Sequence, residues 1–438
     1  MLNTDLIIIG AGPGGYRAAE YAARQGLQVV IVERSEVGGT CLNRGCIPTK
    51  AYVHSATLSE AVERRDRIVA QLRAGVEQLL SAPGITLLRG SARLTGPDTV
   101  ELRSTPFTTR QSSNEFGSAL AAPGVELEDG TTLEASHIMI ATGSQPRMIR
   151  AEGIDTDPRV LTSTSLLELT ELPRRLCIVG AGLIGMEMAG AFRRFGSEVT
   201  VVEYLKECLP MLDSDVAKRL RKLMERQGIR FQMKTAVTSV ADIDADAILV
   251  ATGRRPCTEG LGLETAGIAL NAAGAIPVDD NMLAAPGIYA IGDVNGRQLL
   301  AHAAEMQGLH AVNHILGRKD SIRLDVMPSA IFTTPEAACV GPGEDQLKAD
   351  GIAYRCRKAF WRANGKALSM DETEGLLKLF TDESGRLLGC HAFGAHAADI
   401  VQEVSALICL GTTLDQLRGM VHIHPTLSEV LTQAAWQE

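Results

Sequence analysis

A chain of 438 residues, 45% hydrophobic and 22% charged, has the composition of an ordinary globular protein, and its length suits two to four domains. Its net charge of -9 argues against a nucleic-acid or anionic-membrane partner, and no run approaches the ~18 apolar residues of a transmembrane helix. Met1–Asp5 lacks a basic n-region, the Leu6–Ile9 run is too short for a signal peptide, and nine scattered cysteines make no secreted disulfide framework; these features point to a reducing, cytoplasmic setting in which any bridge is catalytic.

Asp5–Ile9 reads as a short buried strand, followed at once by Gly10-Ala11-Gly12-Pro13-Gly14-Gly15. An amphipathic stretch from Tyr16 to Gln25 and a second strand, Leu27–Val32, ending in Glu33, complete the unit. Strand, G-x-G-x-x-G, helix, strand and terminal acid together form the dinucleotide fingerprint of a Rossmann-like α/β domain. Gly10 allows the tight turn, Gly12 lets a pyrophosphate approach the backbone, and Gly15 lets the helix pack closely. The phosphates would lie on the helix N-terminus, and Glu33 would accept hydrogen bonds from a ribose.

Next comes Gly38-Gly39-Thr40-Cys41-Leu42-Asn43-Arg44-Gly45-Cys46-Ile47-Pro48-Thr49-Lys50. In a regular helix a separation of five residues is a rise of ~7.5 Å, beyond the ~7 Å Cα limit for a disulfide. A Cys41–Cys46 bridge therefore needs a loosened first turn, which Gly38, Gly39 and Gly45 permit. Spacing alone leaves two readings open: a reversible catalytic disulfide, favoured by the thiolate-stabilising end of a helix, or two buried unpaired thiols. No second Cys/His pair stands at zinc-ligand spacing.

From Ala51 to about Leu80 the periodicity of Ile68, Leu72, Val76 and Leu79 predicts helix. Ile85–Leu88 and Thr99–Leu102 alternate like strands, and the polar Ser104–Ser118 stretch reads as loop. Gly124–Glu128 and Thr131–Leu133, joined by Asp129-Gly130, resemble a hairpin. His137–Ala141 is a buried strand ending in Thr142-Gly143.

The fingerprint then recurs. Leu176–Val179 leads into Gly180-Ala181-Gly182-Leu183-Ile184-Gly185, a helix runs to about Phe195, and Glu198–Val202 ends in Glu203. Gly180 stands as far before Glu203 as Gly10 stands before Glu33, and this copy too closes on a strand, Ala247–Val250, and Thr252-Gly253. The repetition indicates a duplicated nucleotide-binding domain. It predicts two dinucleotides, one held and one exchanged, or alternatively one live copy and one inactive. Ile288–Asp293 is a further strand ending in an acid. Beyond about Asp325, strands (Ala330–Thr333, Leu376–Phe380, Leu387–Phe393) alternate with helices (Ala398–Leu410, Leu414–Met420, Leu427–Trp436), as in a separate α+β domain without a glycine-rich loop.

Nearly end to end, these residues resemble the flavin-dependent pyridine-nucleotide disulfide oxidoreductases, most closely the lipoamide-type members, the dihydrolipoamide dehydrogenases. The resemblance rests on the Gly38–Lys50 stretch, both fingerprints, Ala141-Thr142-Gly143, Ala251-Thr252-Gly253, Gly292-Asp293 and His422-Ile423-His424-Pro425-Thr426-Leu427-Ser428-Glu429. It implies two Rossmann-like domains, for FAD and NAD, and a C-terminal α+β dimerisation domain. The boundaries are 1–145 for the FAD domain with its redox disulfide, 146–256 for the NAD domain, 257–325 for a segment returning to the central fold, and 326–438 for the interface domain. FAD would be held by Gly10, Gly12, Gly14, Gly15, Glu33, Gly39, Thr40, Lys50, Thr142, Gly143, Gly292 and Asp293, and NAD by Gly180, Gly182, Gly185, Glu203 and Gly253. Glu203 favours NAD because a carboxylate bonds a 2′-hydroxyl and repels a 2′-phosphate, with Lys206 near enough to temper that preference.

By the same resemblance Cys41 is the interchange sulfur and Cys46 the one beside the flavin. His424 is the base, oriented by Glu429, and it serves the other subunit of a homodimer. Lys50 and Glu187 pair near the flavin's reactive nitrogen. His422 and His424 have no third metal ligand nearby in sequence. The implied reaction is NAD-dependent oxidation of dihydrolipoamide carried on the lipoyl domain of an acyltransferase. The alternatives are an NAD(P)H-dependent reductase of a glutathione- or coenzyme A-type disulfide, and a non-catalytic scaffold subunit. The chain departs from the pattern in being short after Lys50, whereas Leu183 stands where glutathione reductases carry a gating aromatic, as in the lipoamide type. It ends in Ala434–Glu438 without the cysteine pair of mercuric or thioredoxin reductases.

Overall fold

The computed structural model describes residues 2–103, 125–126 and 130–437, arranged as two compact units. The first comprises Met1–Pro48, Glu63–Pro146 and Arg254–Leu324; the second comprises Thr49–Val62, Arg147–Gly253 and Asp325–Glu438.

At the centre of the first unit is β1 (Leu2–Ile9), with α1 (Pro13–Arg24) and β2 (Val29–Glu33) following as the glycine pattern predicts. β1 pairs in parallel with β2 on one side and with Thr132–Ile140 on the other, so that Ile7 stands between Val30 and Ile138. Both faces of this sheet are covered. Leu6, Ile8 and Ile31 pack against Ala18, Ala19 and Ala22 of α1, while Ile7, Val30 and Val32 pack against Leu94, Val100 and Ile276. A strand buried on both faces reads as an unbroken apolar run, which is why β1 is legible without alternation. Ile288–Ala290 adds to the far side of Thr132–Ile140 and ends at a 3-10 turn, Gly292–Asn295, so the strand expected to run to Asp293 stops three residues short.

Two local expectations are corrected. The helix expected from Ala51 to Leu80 is two helices, α3 (Cys46–Val53) and α4 (Leu58–Leu80), preceded by α2 (Gly39–Arg44). Ser55 bends back to bond the Ala51 carbonyl through its hydroxyl (2.8 Å), and Thr57 caps the Glu60 amide (3.3 Å). Such side chains compete with helical backbone bonds, and here they stop one helix and start another. The expected hairpin around Asp129-Gly130 lies partly outside the described residues, and its two described arms pair elsewhere: Val125–Glu126 with Ile85–Arg89, and Thr132–Glu134 with Thr99–Arg103. The expected Ser104–Ser118 loop lies outside the described residues.

The second unit holds two five-stranded sheets. One is parallel, in the order Arg230–Met233, Glu198–Glu203, Arg175–Val179, Ala247–Val250, Val160–Leu161, with the helix Leu183–Phe195 packed on Ile178, Val201 and Leu249. The other is antiparallel and includes Ala337–Val340 and Arg355–Phe360, two strands that sequence patterning misses. Helices Ala397–Cys409 and Glu429–Ala435 cover it through Ile400, Val401, Val404, Val430 and Leu431. Lys378 in this sheet is fully buried, its ammonium held by Asp213 (2.8 Å) and Glu344 (2.6 Å). Asp213 is also the N-cap of Ser214–Arg226, so one carboxylate both starts a helix of the nucleotide domain and neutralises a lysine of the C-terminal sheet. A buried charge needs such pairing to be tolerated.

Candidate active site

In the first unit the fingerprint forms a cradle that side chains would fill. Gly10 has φ +106°, and a Cβ there would lie 2.5 Å from the Ala141 carbonyl oxygen; at Gly15 it would fall 1.9 Å from the Gly10 oxygen. α1 opens on Gly12 with Pro13 in its first turn and no side-chain cap. The first-turn amides of this 12-residue helix are therefore directed at the cradle, the arrangement that binds phosphate. Glu33 is buried and accepts hydrogen bonds from the Ala11 and Ser35 amides, both at 2.8 Å. Those two contacts fix its carboxylate at the end of β2.

The chain then folds over its own loop. Gly39, at φ +61°, is so close to Gly12 that a Cβ would be 2.6 Å from the Gly12 Cα. On the other side Gly14 meets the helix Ala301–Ile315, where a Cβ would be 2.9 Å from the Ala304 carbonyl oxygen. Thr142 donates its hydroxyl to the Cys257 carbonyl (2.7 Å), and the Gly143 carbonyl accepts from the Cys257 amide (2.9 Å). Gly292 donates its amide to Gln307 (2.8 Å). Asp293 bonds the Ser144 hydroxyl, and burial pushes its carboxyl above the usual range despite that bond and the nearby Arg254 guanidinium. Arg254 is anchored by Ser144 through its side chain (2.7 Å) and carbonyl (2.6 Å), because Arg254–Pro256 pairs antiparallel with Ser144–Pro146. Sequence reasoning missed Arg254 and Ser144, although each directly follows a glycine that it singled out. The enclosed, glycine-lined loop with helix amides and a buried acid fits FAD.

Cys41 lies in α2 and Cys46 opens α3, with Gly45 between them. Gly45 has φ -138° and ψ -113°, far from helical, and a Cβ there would be 2.9 Å from the Thr40 oxygen and 3.4 Å from the Cys41 Cα. The helix is thus interrupted between the two cysteines, and the regular-helix rise does not apply to them. The phenol of Tyr16, on α1, has its pKa pushed up to about 12, first by burial and then by Glu305 and Cys41.

In the second unit the second fingerprint repeats the first: a Cβ at Gly180 would lie 2.5 Å from the Ala251 oxygen, and one at Gly185 would lie 2.0 Å from the Gly180 oxygen. Glu203 accepts from the Ala181 amide (2.6 Å) and the Leu205 amide (2.8 Å). Gly253, at φ +106°, accepts from the Arg147 amide through its carbonyl (3.0 Å). Among the described residues this loop is open around Gly182, where an added Cβ would have no neighbouring atom within 4 Å. Such an open helix end fits a pyridine nucleotide that comes and goes.

Two side-chain pairs stand out in the second unit. Lys50, on α3, contacts both oxygens of Glu187 at 3.0 Å. His424 shares a 2.9 Å bond between Nδ1 and Glu429, whose other oxygen accepts from the Thr426 amide at 2.9 Å. Those two donors, His424 first, hold the Glu429 carboxyl below its usual range. The His424 side chain is 79% exposed, so Nε2 faces outward. His422 is different: at 8% exposure it bonds Glu403 (3.0 Å) and Thr432 (2.9 Å) through its two ring nitrogens, and holds the segment in place. Among the described residues no group of three His, Cys, Asp or Glu side chains is set to hold a metal, and no helix is long and apolar enough to cross a membrane.

Comparison with known proteins places the chain in a family. Residues 4–308 match the pyridine nucleotide-disulphide oxidoreductase family and 327–435 match its dimerisation domain. The chain is 37% identical to dihydrolipoyl dehydrogenase 3 of Pseudomonas aeruginosa, over 99% of this chain and 98% of that one. It is 35% identical to mitochondrial dihydrolipoyl dehydrogenase 1 of Arabidopsis thaliana, over 99% and 90%. Its fold superposes with a TM-score of 0.88 on the HOCl-induced flavoprotein disulfide reductase RclA of Escherichia coli, at 30% identity and 99% coverage of both chains. The chain belongs to the pyridine nucleotide-disulphide oxidoreductases, flavoproteins acting on sulfur groups, and carries that family's dimerisation domain.

Proposed function

We propose that this protein oxidises dihydrolipoamide with NAD through a Cys41–Cys46 redox disulfide, as a homodimer in a reducing compartment. The observation that supports this most is the His424–Glu429 dyad. A carboxylate on Nδ1 fixes the imidazole tautomer and leaves Nε2, largely exposed, free to take a proton. Sited in the dimerisation domain, such a base serves the cysteines of the other subunit.

The sulfur chemistry follows from thiol–disulfide exchange. His424 takes a proton from the first substrate thiol, and the resulting thiolate attacks Cys41. The Cys41–Cys46 bond breaks, a substrate–Cys41 mixed disulfide forms, and Cys46 leaves as a thiolate. His424 passes its proton to the departing Cys41 sulfur and takes that of the second substrate thiol, which attacks the substrate sulfur bonded to Cys41 and breaks that bond. Cyclic disulfide departs, and two electrons remain on the cysteine pair. Bound FAD and NAD supply the route by which those electrons leave as hydride. With FAD bound, Lys50 and Glu187 would serve it as a fixed charge pair. Glu203, with each oxygen already pinned by an amide, presents its remaining lone pairs to ribose hydroxyls, supporting NAD over NADP. The lipoyl domain of an acyltransferase is the expected carrier of the substrate.

The close superposition on RclA favours one second reading, NAD(P)H-dependent reduction of a different disulfide. Turnover with dihydrolipoamide plus NAD, set against glutathione or coenzyme A disulfide plus NADH or NADPH, separates the two. The flavin-loaded dimer is expected to turn over the first pair, and Cys41→Ser to lose at least about a thousandfold. A flavin-loaded dimer inert to dihydrolipoamide would sink the lipoamide reading.

A further inference from the structure

The Lys50–Glu187 pair has a third partner that no motif marks. Phe332, immediately after the strand Ser329–Ile331 of the C-terminal sheet, donates its backbone N–H to Glu187 Oε1 at 2.8 Å. Its ring lies under the Lys50 ammonium, 4.4 Å from nitrogen to centroid. One residue therefore grips both members of the pair, the carboxylate through its main chain and the ammonium through its π face. Glu187 is 1% exposed and Lys50 24% exposed, so the ring acts where water is largely excluded and a cation–π contact is strong.

The surrounding turn is itself fastened. Thr333 bonds the Pro335 carbonyl through its hydroxyl (2.7 Å). Arg194 donates to the Thr334 hydroxyl (2.6 Å) and to the Val53 carbonyl at the end of α3. The helix that carries Lys50 and the turn that carries Phe332 are thus cross-tied by one guanidinium. An ammonium needs compensation for lost hydration, and here that comes from one carboxylate and one aromatic face.

We propose that Phe332 is a positioning residue for Lys50, its ring holding the side chain in register with Glu187, so that the dimerisation domain sets a group used at the flavin. The last clause rests on the role given to Lys50 above.

The test is competitive amine acylation of the flavin-loaded dimer with acetic anhydride at fixed pH, read at Lys50 by mass spectrometry, with exposed Lys218 as internal standard. The labelling rate reports how firmly the partners of the amine hold it away from the reagent. Phe332→Leu keeps the backbone N–H and the apolar bulk, removes the π face that holds the amine, and is expected to speed Lys50 labelling about threefold to tenfold. Phe332→Tyr should remain within about twofold of wild type. Trifluorophenylalanine at position 332, which keeps the shape and weakens the quadrupole, should fall between, and it serves if the leucine variant does not fold. Unchanged labelling in the leucine or fluorinated protein overturns the proposal, as does equal acceleration in the tyrosine variant, which would signal a loosened turn. The rate of flavin reduction by NADH in Lys50→Met separates the two claims. If it matches wild type while labelling still follows the ring, the role given to Lys50 fails and the grip of Phe332 on it stands.

Discussion

The two fingerprint loops are near-copies in backbone and opposites in surroundings. Gly10 and Gly180 approach the carbonyls of Ala141 and Ala251 equally closely, and Gly15 and Gly185 sit equally tightly on the turns before them. Glu33 and Glu203 are each pinned by the amide after the first glycine and by the amide two residues beyond the acid. The first loop, however, is roofed by Gly39 and backed by Ala304, whereas the second is open around Gly182. Identical binding chemistry in an enclosed and in an open setting is what one held and one exchanged dinucleotide require. Residence time depends on what surrounds a loop as much as on its glycines.

The sharpest way to break this comparison is Gly39→Ala. The new methyl meets the Gly12 backbone, and the residue is held at a left-handed φ. Flavin content of the purified protein, read by absorbance, should fall at least about tenfold, while NAD binding by the second loop changes less than about twofold. Gly182→Ala meets nothing among the described residues, so it should fold normally and keep its flavin. A nucleotide phosphate must still approach that backbone, and KM for NAD should rise about tenfold. If both variants lose the same ligand, the enclosed and open loops do not differ as argued.

Smaller in effect is Glu203→Gln. If Glu203 bonds a ribose hydroxyl as proposed, this change should raise KM for NAD about tenfold with flavin content unchanged, checked by steady-state kinetics and absorbance. The smallest effect concerns Asp293. Burial raises its carboxyl in the folded state, so the native protein binds more protons than the unfolded chain in the window above the ordinary carboxylate range. Stability of the flavin-free protein should therefore fall as pH rises through that window. Asp293→Asn should flatten the trend and raise the melting temperature near neutrality by about 1–3 °C, while weakening flavin retention. A variant that melts lower at neutral pH would show that the carboxylate is stabilised in the fold.

The two loops were legible because their constraints are local. A strand, a glycine at fixed offset, a helix and an acid lie within about 25 residues, and steric limits on φ and on Cβ placement act at that range. The same holds for His424 and Glu429, five residues apart around one turn. What escaped depends on partners distant in sequence. Ala337–Val340 and Arg355–Phe360 carry short or polar patterns and become strands because Leu387–Phe393 and Leu376–Thr381 pair with them. The break between α3 and α4 escaped for a local reason instead: the Ser55 and Thr57 hydroxyls bond nearby backbone groups, which the periodicity of the surrounding residues does not reveal.

By itself the sequence determined the duplication and where the chain turns around each fingerprint, because glycine enters left-handed φ at little steric cost and proline fixes φ near one value. Only the tertiary structure decided which fingerprint loop is covered, that Glu187 is buried against Lys50 and Phe332, and that Arg254 is fastened to Ser144 beside Asp293. Those facts depend on which surfaces meet, and burial and desolvation, the terms that decide charge state and ligand retention, have no value until they do.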